Sequence, residues 1–110
     1  MLVALTRAVS PRINECELTF VDREPIDVAR ATAQHNDYER RLEAHGCRVV
    51  RVEPEPSMPD SMFVEDTAVV LDEVAVITRS GSASRRAETD GIARALLRYR
   101  AIRRIDAPGT

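Results

Sequence analysis

Glu65 and Asp66 stand side by side in "PDSMFVEDTAVVL" (59–71), ahead of a run of apolar residues and just after Asp60. Ionised carboxylates beside a segment that buries itself are costly unless they are paired. Two readings are open. In one, the acids turn to solvent or pair with a nearby arginine; in the other, they form a lip that binds a cation. A planar guanidinium is the organic cation best matched to carboxylates, because it meets them through paired hydrogen bonds. A divalent metal would need further ligands, and the only histidines, His35 and His45, belong to a different segment, so no metal is expected. Neighbours on a regular strand face opposite sides. For both acids to reach one ligand, the backbone must twist or end there.

Arg85 and Arg86, in "SASRRAET" (82–89), raise the complementary question. The pattern predicts that they lie in the first turn of a helix capped by Ser84. A cation at that end of a helix is disfavoured by about 0.3–1 kcal/mol. Either one arginine is neutralised by Glu88 or Asp60, or free N–H groups and guanidinium together make a site for a carboxylate or phosphate. A cation site and an anion site in one segment of chain suit a zwitterion, an α-amino acid with a basic side chain. His35 falls on an apolar helix face and reads as a packed, hydrogen-bonded histidine rather than a catalyst. Cys16 and Cys47 form no CxxC or Cys/His cluster, and neither reads as a nucleophile.

The elements that must position these groups follow from periodicity. Residues 2–6 read as a short buried strand, and 7–25 as a long polar loop of the kind that serves as a lid. A helix is expected over about 26–45, with Val28, Ala31, His35, Tyr38, Leu42 and His45 on its inner face. Gly46 should end it in a left-handed conformation. "CRVVRVEP" (47–54) reads as a strand stopped by a proline-rich break. Residues 63–79 read as two buried strands in a hairpin around Asp72-Glu73. A second helix is expected over about 84–99, with Ile92, Ala95, Leu96 and Tyr99 inward, before a last strand in "AIRRIDAP". The order β–loop–α–β, then β–β–α–β, describes an α/β chain with a unit repeated at about 1–58 and 59–110. Such units leave flanks that something else must cover.

Composition narrows the classes. The chain has 110 residues, enough for one small core, and 44% are hydrophobic. Its 16 basic and 18 acidic residues interleave to a net charge of −2, which offers no basic footprint for nucleic acid or membrane. Every basic residue other than histidine is arginine, a bias read as genomic rather than functional. The apolar start, "MLVALT", is too short for a signal peptide or a spanning helix. A cytoplasmic protein with reduced thiols, no cofactor, and a small-molecule partner is expected.

The stretches "MPDSMFVEDTAVV", "ITRSGSASRRAE" and "IDAPGT", with "QHNDY" in the first helix, resemble the N-terminal part of the dimethylarginine dimethylaminohydrolases. These belong to the amidinotransferase, or pentein, superfamily. The resemblance covers essentially the whole chain. It implies an α/β fold: two ββαβ-type units of a five-bladed α/β propeller, an incomplete ring. It also implies hydrolysis of Nω-methylated arginine to citrulline and an alkylamine through a covalent intermediate on a cysteine. By motif, Glu65 and Asp66 correspond to guanidinium binders, and Asp60 to the ligand of the α-amino group. Leu18 lies on the loop over the site, Phe63 in the pocket wall, and Arg85 among the arginines that hold the α-carboxylate. Family members are roughly twice this length or more, and their nucleophilic cysteine, catalytic histidine and a second carboxylate-binding arginine have no counterpart here. The chain is therefore expected to carry part of a substrate shell, no catalytic residue, and no activity alone. Association with the remainder of such a fold, or with further copies of the chain, is the expected macromolecular partner. The rival expectation is a small non-catalytic module that binds arginine derivatives or assembles into a ring.

Overall fold

A computed structural model describes residues 1–110 and divides them into two compact units, Met1–Met62 and Phe63–Thr110. In the first unit, β1 (Val3–Thr6) pairs in parallel with β2 (Arg48–Arg51), in register from Val3 opposite Arg48 to Thr6 opposite Arg51. A parallel pair needs a crossover, and α1 (Val28–Ala44) supplies it. Asp27 caps α1 by accepting the Arg30 N–H at 3.1 Å. Gly46, at φ +92°, ends it in the left-handed region that glycine enters without a steric penalty.

The inner face of α1 differs from the expected one. His35 is buried, as its spacing predicts, but Tyr38 is 53% exposed and His45 is also exposed; Glu39 is buried instead. The reason is polar. Glu39 Oε2 accepts the Thr6 hydroxyl at 2.6 Å and Arg51 Nε at 2.9 Å, so strands on either side of the crossover draw its carboxylate inward.

The connection between β1 and α1 is tied down along its length. Arg7, fully buried, donates Nε to the Glu53 carbonyl at 3.0 Å, and Ser10 donates its hydroxyl to the Pro56 carbonyl at 2.6 Å. A short 3₁₀ turn, Ile13–Glu15, buries Ile13. Farther on, Arg23 donates to the carbonyls of Asn14 and Cys16, and the Asn14 side chain bonds both the N–H and the carbonyl of Ile26.

In the second unit, β3 (Ala68–Val70) runs antiparallel to β4 (Val74–Ile77), and β4 runs parallel to β5 (Ala101–Arg104). The hairpin closes where expected, with the Leu71 N–H on the Val74 carbonyl at 2.8 Å. The crossover is α2 (Thr89–Leu96). Central strand β4 buries Ala75 and Ile77, and α2 buries Ile92, Ala93 and Leu96. Two expectations fail here. First, "AVVL" is not buried: Val69, Val70 and Leu71 are each at least half exposed, because β3 is an edge strand. Second, the α-helix begins at Thr89 rather than about residue 84. Ser84 lies inside a 3₁₀ segment, Ala83–Glu88, and the residue flanking the start of α2 is Glu88, so Ser84 is not a helix cap. In a 3₁₀ segment, side chains at i and i+3 lie one above the other. Arg85 and Glu88 have that spacing and use it. No helix is long and apolar enough to cross a membrane.

Candidate functional site

The six residues singled out in the sequence divide between the units. Leu18 and Asp60 belong to the first; Phe63, Glu65, Asp66 and Arg85 belong to the second.

In the first unit, the proline-rich break folds back on itself, with the Ser61 N–H on the Met58 carbonyl at 3.2 Å. This turn buries Asp60 and Ser61. Asp60 Oδ2 accepts the Glu17 N–H at 3.0 Å, so the carboxylate holds the 7–25 loop immediately before Leu18. Leu18 itself is 38% exposed. Cys16, Leu18, Phe20, Arg23 and Ile26 line a cavity of about 660 Å³ within this loop. Cys16 is buried and Cys47 is half-buried; both are free thiols.

In the second unit, the backbone departs from strand geometry at the two acids. Val64–Asp66 is a 3₁₀ turn, held by the Asp66 N–H on the Phe63 carbonyl at 3.1 Å and the Thr67 N–H on the Val64 carbonyl at 3.0 Å. With three residues per turn, neighbours project about 120° apart instead of to opposite faces. Glu65 and Asp66 are therefore both exposed, while Phe63 before them is half-buried and Thr67 after them is buried. The turn is anchored to the hairpin, since Thr78 Oγ donates to the Asp66 carbonyl at 2.6 Å.

Arg85 joins this turn to the 3₁₀ segment ahead of α2. Its Nη1 donates to Asp66 Oδ2 at 2.9 Å. On its other side, Nε and Nη2 donate to the two oxygens of Glu88 at 3.0 and 2.8 Å. Of the two readings of this arginine, the structure shows the neutralised one. It is neutralised by Glu88, and it also meets the acid pair, through Asp66. Arg86 turns away and donates Nε to the Ser80 carbonyl at 2.8 Å. Glu88 entered the sequence reading only as a neutralising partner; its i+3 spacing from Arg85 was the available signal for more.

The first unit holds a second polar cluster that sequence reasoning missed. Besides Thr6 and Arg51 Nε, Glu39 takes a close ion pair from Arg51 Nη2, which also reaches Asn36 Oδ1 at 2.7 Å. Burial pushes the Glu39 carboxyl up, but the hydrogen bonds from Arg51 and Thr6 and the Arg51 charge outweigh it and hold it below its ordinary range. His35 Nε2 lies 3.9 Å from Glu39 Oε1 and is buried without a hydrogen-bond partner, so this packed histidine is not satisfied at that nitrogen. No three His, Cys, Asp or Glu side chains are grouped as metal ligands.

The chain is 47% identical over 95 residues to the N(G),N(G)-dimethylarginine dimethylaminohydrolase of Streptomyces coelicolor, and 41% identical over 86 residues to that of Pseudomonas aeruginosa. These alignments cover 86% and 76% of this chain but 37% and 34% of the relatives, so it spans little more than a third of their length. Among solved structures, a cysteine-to-serine mutant of the Pseudomonas aeruginosa enzyme in complex with citrulline superposes with a TM-score of 0.89 at 35% identity. That match covers 96% of this chain and 42% of the other. The N-terminal domain of ArgZ, an arginine dihydrolase bound to its product, superposes at 0.81 with 17% identity, a likeness of fold alone. No protein-family model matches the chain.

Proposed function

We propose that this chain, which matches the dimethylargininases over part of their length and has the α/β fold of their pentein superfamily, supplies part of a substrate-binding shell for Nω-methylated arginine. The reaction served is hydrolysis to citrulline and an alkylamine. Glu65 and Asp66 take the guanidinium, Asp60 the α-amino group and Arg85 the α-carboxylate; Phe63 and Leu18 supply apolar wall. The two compact units are two blades of the propeller.

One observation carries this reading: Asp66 already receives a guanidinium, that of Arg85, at 2.9 Å. A carboxylate placed by a rigid 3₁₀ turn and matched to one guanidinium has the geometry to take another. Asp66 is about half exposed, so a ligand can reach it. The Asp60 carboxylate, which holds the Glu17 N–H, adds a means of drawing the 7–25 loop toward a bound ammonium group.

The covalent step belongs elsewhere. Expelling an amine from a resonance-stabilised guanidinium needs an activated nucleophile and an acid for the leaving group. Cys16 is buried, and Cys47 follows the Gly46 turn that ends α1. A second reading, a non-catalytic module that assembles with other chains, is favoured by the exposed Val69, Val70, Leu71 and Leu97 of the second unit.

Calorimetric titration of the chain with Nω,Nω-dimethylarginine and with norleucine tests the main reading. Saturable binding of the first and none of the second is expected. Equal binding of both, or binding unaffected by Asp66→Asn, would falsify the assignment of the guanidinium site.

A further inference from the structure

Glu88 is a charged partner of Arg85 to which the proposed function gives no role. It is 2% exposed, among the most buried side chains of the molecule, and it closes the 3₁₀ segment directly ahead of α2. A carboxylate so buried is costly unless a charge partner and hydrogen bonds hold it. Arg85 supplies both, through Nε at 3.0 Å and Nη2 at 2.8 Å. Because the fork has two points and a plane, it fixes the direction of the guanidinium as well as its place. Nη1 is then the nitrogen turned to the exposed Asp66.

We propose that Glu88 is the positioning residue for recognition of the ligand carboxylate, acting through Arg85; this rests on the reading of Arg85 as the carboxylate holder. A free arginine side chain has many rotamers, and ordering it would weaken any ligand that it binds. Glu88 orders it in advance. The 3₁₀ backbone of Ala83–Glu88 sets residue 88 directly above residue 85, which keeps the two side chains within reach of each other. Glutamine has the same shape but offers one acceptor oxygen, and its NH₂ faces the arginine N–H groups. Glu88→Gln therefore loosens the fork without emptying the site.

The test uses the 110-residue chain and reads the arginine side chains by ¹⁵N NMR. In the wild type, the Arg85 Nε–H is expected to be protected from solvent exchange. Glu88→Gln should raise its exchange rate by roughly tenfold or more, the scale of one charge-assisted hydrogen bond, whereas Asp66→Asn leaves it protected. Three probes are then titrated: dimethylarginine, its decarboxylated amine and acetate. Glu88→Gln should weaken dimethylarginine by roughly tenfold and leave the amine unchanged, a split that general loosening of the fold does not produce. Equal weakening of both, or unchanged dimethylarginine affinity once the Nε protection is lost, overturns the proposal. If the wild type binds neither guanidinium compound, the proposed function fails. Acetate then decides the positioning role: shifts at the Arg85 Nη groups in the wild type that vanish in Glu88→Gln sustain it, and no wild-type shift overturns it. Should Glu88→Gln not fold, Glu88→Asp, which keeps the charge and shortens the reach, must show the same selective loss, and wild-type behaviour in it overturns the proposal.

Discussion

Asp66 and Arg85 share a hydrogen bond, yet they stand in opposite energetic situations. The Asp66 side chain is 55% exposed, and an exposed ion pair is worth about 0–1 kcal/mol. Asp66→Asn is therefore expected to shift the unfolding midpoint in urea very little while weakening dimethylarginine tenfold or more. Wild-type ligand affinity in this variant would show that the acid serves only its pair with Arg85. Arg85 is 16% exposed and its partner Glu88 is buried. Arg85→Ala takes the fork from a buried carboxylate and should cost about 3–5 kcal/mol of stability. Urea denaturation of the two variants side by side checks this asymmetry. For ligand work Arg85→Lys is the better substitution, since it keeps the charge and gives up only the planar two-point geometry.

At the scale of elements, α1 is held to its two strands by a polar clasp. Glu39 joins Thr6 of β1 and Arg51 of β2 beneath the crossover. Its carboxyl is held below its ordinary value of 4.5. Because the folded value is depressed, the resulting stability is fully present above about pH 4.5 and disappears as pH falls through the folded value. Glu39→Gln should cost about 1–3 kcal/mol at neutral pH, the range for leaving hydrogen-bonding partners of a buried group unmatched. The gap between wild-type and variant Tm should narrow below pH 4.5; a gap constant from pH 7 to pH 3 would remove the charge from this account. The end of the same helix makes a separate prediction. Open space surrounds a Cβ at Gly46, so only the positive φ opposes a side chain there. Gly46→Ala should destabilise by about 1–2 kcal/mol, measured by denaturation, and Gly46→Asn by less.

For the whole molecule, the proposal is that binding groups are present without the chemistry they serve. Purified chain incubated with dimethylarginine is expected to release no citrulline by colorimetric assay. Turnover abolished by Cys47→Ser would show that this half-buried thiol, with His45 across the Gly46 turn, is a working nucleophile after all. The exposed Val69, Val70, Leu71 and Leu97 make a further expectation on the same scale. β3 has a free edge beside β4, and an apolar edge strand is a template for pairing. Val70→Lys should reduce self-association at high concentration, measured by sedimentation velocity, with little effect on urea stability.

Much of this protein is legible in the chain because its signals are local. The α1 stripe, the glycine that ends it, the Asp72-Glu73 hairpin and the β–β–α–β order all depend on residues a few positions apart. The acids of "FVED" could also be read as irregular backbone, because two adjacent carboxylates cannot share a ligand from a regular strand. What the tertiary structure decided are pairings over long separations. Tyr38 keeps helical spacing with His35, yet Glu39 goes inside, because Thr6 and Arg51 are brought to it by a parallel pairing that no local pattern encodes. "AVVL" has the composition of a core strand, yet it is exposed, since burial depends on what packs against an edge. The 84–88 segment leads straight into the apolar stripe of Ile92, Ala95 and Leu96, so by local pattern it reads as the start of that helix. Glu88 is only three residues from Arg85, but only in three dimensions does the same guanidinium also find Asp66, nineteen positions away. Periodicity reports which face of an element is apolar; which carboxylate meets which guanidinium is settled by charges meeting across the fold.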